Sequence, residues 1–148
     1  MIKKQKVIAL CSSADFFRDV IEVKKQLVKL GFSVLLPHGA IIMQRSGNYS
    51  VSDLKTWFKD NDYRRKTMFI NDHFKKIAKS QAILVVNNKK RSIDGYIGGA
   101  TLMEMTIAHY LKKKIFIMNP VSKELPYYEE VFGLSPIIIN GDLSKMVI

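Results

Sequence analysis

The chain has 148 residues, 24 of them Lys or Arg against 13 Asp or Glu, a net charge of +11. Its length suits a single domain, expected over residues 1–148, with a core of its own. No apolar run approaches the ~20 residues of a membrane helix, and the lone Cys11 excludes an internal disulfide. That suits a reducing cytoplasm.

In chain order, "KVIALCSS" is a continuous apolar run ending in small residues, the pattern of a buried parallel strand rather than a secretion signal. "FFRDVIEVKKQLVKLG" places apolar residues at helical spacing and stops at Gly31. "FSVLLP" reads as a second strand. His38 to Asp62 has no sustained period, and a connection this long is functional or partly helical. "YRRKTMFINDHFKKIAKS" reads as a helix and "QAILVVNN" as the strongest strand. The polar loop "KKRSIDGYIGG" leads to a helix over "ATLMEMTIAHYLKK". "KIFIMNP", a short helix within "SKELPYYEEVFGL", and "SPIIING" complete the order.

Alternating apolar strands and amphipathic helices predict an α/β fold: a Rossmann-like three-layer α/β/α sandwich with a five-stranded, mainly parallel sheet. Ligands of such sheets bind beyond the carboxyl ends of the strands, which selects the segments "CSSAD", "PHG", "NNKKRSIDGYIGG" and "NPVS".

Glu104 stands out in "DGYIGGATLMEM". A helix starting at Thr101 would make Thr101 the N-cap and Glu104 the third residue of a capping box. Gly98 and Gly99 ahead of it would also let a ligand approach the backbone, where a helix N-terminus favours anions. There Glu104 could act as a nucleophile at a sugar carbon or as a general acid or base. Ser12 and Ser13 can bind a phosphate or hydroxyl, or Ser13 or Asp15 can cap the first helix. Cys11 ends the same strand, and burial preference makes it a small core residue. Asp72 and His73 lie on the helix before the third strand; His38 follows the second. Three scattered histidines and one cysteine make no metal cluster at ligand spacing, and neither G-x-G-x-x-G nor a P-loop is present. The basic residues are dispersed, without the aromatic interleaving of a nucleic-acid surface.

"LCSSADFFRD", "SVLLPHG", "KSQAILVVN" and "ATLMEMTIAHYLKKKIFIMNP", in this order, resemble the nucleoside 2-deoxyribosyltransferase superfamily, including the 2′-deoxynucleoside 5′-phosphate N-hydrolases. "IGGATLMEM" is also similar to the end of the "P-G-G-x-G-T-x-x-E" motif of the lysine-decarboxylase-like nucleotide phosphoribohydrolases. The resemblance implies cleavage or transfer of an N-glycosidic bond of a (deoxy)nucleoside or nucleotide. It implies a small-molecule nucleoside or nucleotide partner and a homodimer or larger homo-oligomer; the residues themselves call for no cofactor, metal or membrane partner, and dispersed charge is the one feature that would suit nucleic acid. Glu104 matches the family's nucleophile, assisted by Asp72 or His73, and Cys11, Ser12, Ser13, His38, Asp94, Tyr96, Gly98, Gly99 and Thr101 stand in the substrate-contacting segments. Two departures are visible: His73 stands where the family carries an aspartate, with Asp72 one residue off, and Gly98 occupies the place of a second aspartate, with Asp94 further back. A non-catalytic nucleotide-binding module is the alternative on the same fold.

Overall fold

The structure, a computed structural model, describes residues 4–148. The first lysine of the Lys3–Lys4 pair and the start of the expected 1–148 domain lie outside the described residues. The strands are β1 (Val7–Cys11), β2 (Ser33–Leu35), β3 (Ala82–Val85), β4 (Lys114–Ile117) and β5 (Ile137–Ile138), in the spatial order β2-β1-β3-β4-β5. Every pairing is parallel, so the "mainly parallel" expectation resolves to an all-parallel sheet. The helices are α1 (Phe17–Lys29), α2 (His38–Ser46), α3 (Val51–Leu54), α4 (Trp57–Asp60), α5 (Arg64–Lys79), α6 (Gly99–Tyr110) and α7 (Tyr128–Gly133). The long connection is therefore partly helical, holding α2, α3 and α4. Among the described residues, no helix is long and apolar enough to cross a membrane.

Side chains of β1 alternate between two layers, as the pleat requires. Ile8 and Leu10 join Phe17, Val20 and Leu27 of α1, with Leu84, Phe116 and Ile139. Ala9 and Cys11 face the other way, with Ile77 of α5 and Met105 and Ala108 of α6. The chain leaves β1 toward β2 on one side and returns to β3 on the other. This opens a crevice at the carboxyl ends of β1 and β3, where α/β sheets take their ligands.

Two asparagines fix the strand ends beside that crevice. Asn87 donates to the carbonyls of Asn119 at 2.8 Å and Gly95 at 3.2 Å, and accepts from the Asn119 backbone at 2.9 Å. Gly95 has φ +65°, and a Cβ there would collide with the Pro120 carbonyl, so this position needs glycine twice over.

Candidate active site

A cavity of about 250 Å³ opens at the crevice. This lies just below the ~300 Å³ lower end usual for small-molecule sites. Lys66, Phe69, Ile70, His73 and Phe74 line one wall, a single stripe of α5 at helical spacing. The start of α6 forms the next wall through Gly98, Gly99, Thr101, Met103 and Glu104; Ser12, Ser13, His38, Trp57 and Tyr96 also face the cavity.

The start of α6 differs from the capping-box expectation. Gly98 is the N-cap, in an extended conformation, and Leu102 N–H donates to its carbonyl at 3.0 Å. Thr101 is thus inside the first turn, and Glu104 is a turn further on. Thr101 is 1% exposed and among the described residues its Oγ1 has no hydrogen-bond partner, so it does not cap the helix. Glycine is tolerated at an N-cap, which lets the helix begin early, and Glu104 faces the cavity from its second turn.

Glu104 Oε2 lies 3.2 Å from His73 Nε2, and Cys11 Sγ lies 3.4 Å from the same nitrogen. Burial pushes the Glu104 carboxyl up to about 8, with the positive charge of Lys66 and a hydrogen bond to Cys11 opposing it. Burial pulls His73 down to about 4, helped by Lys76; the Leu10 backbone and Asp72 partly offset this. The Cys11 thiol is raised well above its ordinary value by burial and by Glu104. At neutral pH the Glu104–His73 pair therefore carries one proton, and it rests on Glu104.

Three expected site residues are not on the cavity wall. Cys11 is fully buried behind it, reaching the site only through His73 and Glu104. Asp72 is turned about 100° around α5 from His73 and pairs with Lys76 at 2.8 Å. Asp94 is on the solvent side of its loop, 3.9 Å from Lys89, while Lys90, Arg91 and Tyr96 of the same loop line the cavity. The cap expected at Ser13 or Asp15 is absent as well. Ser13 Oγ donates to Asp15 at 3.1 Å and accepts from Lys90 at 3.1 Å. Trp57 is 4% exposed, packed edge-on to Phe69 and beneath Lys66.

Lys55, Lys66, Lys90 and Arg91 also line the cavity, and among the described residues Glu104 is its only carboxylate. Lys90 is paired with Asp15. Among the described residues no ion pair neutralises Lys55, Lys66 or Arg91. Burial lowers the Lys55 ammonium, and repulsion from Lys66, Lys90 and Arg91 lowers it further. The dispersed charge pattern gave no sign of this cluster. It forms because the α3–α4 connection, the first turn of α5 and the β3–α6 loop converge in space.

The fold of the chain is similar to that of a solved 2-deoxyribosyltransferase. A solved structure described as a 2-deoxyribosyltransferase from the psychrotolerant bacterium Bacillus psychrosaccharolyticus, a biocatalyst for the synthesis of antiviral and antitumoral nucleosides, superimposes with a TM-score of 0.52. The match covers 82% of this chain and 77% of that one at 14% identity, a likeness of fold. No family model and no curated protein matches the sequence.

Proposed function

We propose that the protein cleaves or transfers the N-glycosidic bond of a (deoxy)nucleoside or nucleotide, with Glu104 as nucleophile at the anomeric carbon. The observation that supports this best is the lone carboxylate on the wall of a cation-lined cavity, 3.2 Å from a buried histidine. The resting proton revises the simplest version of the chemistry, in which Glu104 starts ionised.

The Glu104 proton moves to His73 Nε2, leaving a carboxylate beside an imidazolium. The carboxylate attacks the anomeric carbon as the bond to the base breaks, and the base takes that electron pair. The imidazolium protonates the departing base. Neutral His73 then accepts a proton from water or from an acceptor base, whose attack frees Glu104 from its sugar ester. Retaining glycosidases divide the reaction in the same way. His73 thereby serves where the resembled family has an aspartate. The four cations favour a 5′-phosphorylated substrate over a neutral nucleoside.

Base release from deoxynucleosides and their 5′-monophosphates, with the ribose counterparts alongside, tests the reading. The expected result is release from at least one member and its collapse in Glu104→Gln. Binding of a nucleotide with no base released from any member would overturn it in favour of a binding module.

A further inference from the structure

We infer that Cys11, His73 and Glu104 form a binding site for a thiophilic divalent cation of the zinc class. One ligand atom from each lies within 4.8 Å of the other two. Sγ to Nε2 is 3.4 Å and Nε2 to Oε2 is 3.2 Å. A tetrahedral zinc ion, with bonds of about 2.3 Å to sulfur and about 2.05 Å to nitrogen or oxygen, separates S from N by about 3.5 Å and N from O by about 3.3 Å. Two of the three separations already stand at ligand spacing, and the third, Sγ to a Glu104 carboxylate oxygen, is no more than 4.8 Å. The side chains project from the end of β1, the middle of α5 and the second turn of α6, so little rearrangement is needed.

The three groups already form one hydrogen-bonded cluster, with Sγ and Oε2 both against the same Nε2 and Cys11 also bonded to Glu104. One cation between them replaces those bonds by taking a lone pair from each group. The thiol and carboxyl protons leave to solvent as the ion binds. Three protein ligands leave a fourth position open, as in zinc sites that hold a water or substrate. Here it faces the cavity that His73 and Glu104 line. Sequence spacing gave no hint of the site, because its ligands lie on three separate elements.

A coordinated Glu104 cannot attack a sugar. Resting on the reading of Glu104 as nucleophile, the ion therefore switches base release off. Cobalt titration of the chelator-stripped full chain tests the site without reference to activity. The expected result is uptake of one equivalent, with tetrahedral d–d bands and a thiolate-to-cobalt charge-transfer band, all lost on adding zinc. Cys11→Ser and Cys11→Ala, checked for folding by circular dichroism, should lose the charge-transfer band and bind at least about tenfold more weakly. No uptake by the folded wild type, or uptake unchanged in both variants, overturns the site. In the activity arm, zinc should abolish base release by the wild type and spare whatever activity Cys11→Ser retains. Base release unaffected by a bound ion overturns the switch. If no base is released under any condition, the proposed activity fails, while the cobalt spectrum still decides the metal site.

Discussion

Ile8 and Leu10, on one face of β1, pack into an all-apolar layer with α1. Ala9 and Cys11, on the other face, look toward α5 and α6, where His73 and Glu104 approach each other. Large aliphatic residues fill the first layer. Small ones at positions 9 and 11 leave room in the second for an imidazole and a carboxyl. The imbalance extends to hydrogen bonding. Among the described residues, the buried side-chain atoms without a hydrogen-bond partner are Arg65 Nε, Asp72 Oδ2, His73 Nδ1 and Thr101 Oγ1. All four are on α5 or α6, and of these only Asp72 Oδ2 has an ion-pair partner, Lys76. Unsatisfied groups are usually rare and call for an explanation. Here the His73 and Thr101 atoms belong to residues on the cavity wall, whereas Arg65 and Asp72 lie off it; one face holds the fold together while the other carries two polar groups set up for a ligand.

Glu104→Gln and Leu10→Ala should separate the two faces most sharply. Gln is close in shape to the protonated carboxyl that Glu104 carries at neutral pH, so folding should survive. Base release should drop on the order of 10³-fold or more, about 4 kcal/mol of barrier. Leu10→Ala should do the opposite. It removes a side chain that is 0% exposed, with a loss of about 2–5 kcal/mol in denaturant unfolding and little change in turnover per folded molecule. Equal stability losses in both variants would erase the distinction.

The pH dependence of stability in chelator-treated protein sharpens it next. Glu104 rises from 4.5 to about 8 on folding, so its contribution is complete below pH 4.5 and lost as the pH rises to about 8. His73 falls from 6.5 to about 4, so its contribution is complete above pH 6.5 and lost as the pH falls to about 4. Between pH 4.5 and 6.5 the folded and unfolded states each bind one proton at this pair, and the two slopes cancel. From pH 6.5 to 8 only the folded state keeps its proton, and stability should fall by about 2 kcal/mol. Urea unfolding across this range should show that decline in the wild type and its absence in Glu104→Gln.

Lys66→Ala probes the cationic rim. Loss of a charged contact to phosphate should raise KM for a 5′-monophosphate about tenfold, or about 1.4 kcal/mol. KM for the unphosphorylated nucleoside should change little. Equal effects on both substrates would assign Lys66 to packing over Trp57 instead.

Much of this was legible in the chain. Hydrophobic runs located all five strands, and the break in pattern over His38–Asp62 marked a segment that contributes Leu54, Lys55 and Trp57 to the cavity. Glu104 and His73 were legible as candidates. Their contact was not, because it depends on how α5 and α6 pack. Local pattern also misjudged where α6 begins, since T-x-x-E has the same spacing whether or not the helix starts three residues earlier. The single step around α5 from Asp72 to His73 exchanges a solvent ion pair for the cavity wall, and no pattern of the sequence fixes that rotation to one residue.

Thr101→Val is the smallest expected change and bears directly on the idea that one face awaits a ligand. Valine keeps the β-branched shape and removes the hydroxyl. An unpartnered buried hydroxyl destabilises the free protein by about 1 kcal/mol or more. The variant should therefore unfold at higher denaturant than the wild type. If the same hydroxyl bonds a substrate oxygen in the complex, the variant should also bind nucleotide about fivefold more weakly, about 1 kcal/mol. Opposite signs in the two measurements are the signature of a polar group held unsatisfied for a ligand. A stability loss would mean that Thr101 has a partner within the folded chain. A stability gain with unchanged affinity would make its hydroxyl a bystander on the wall.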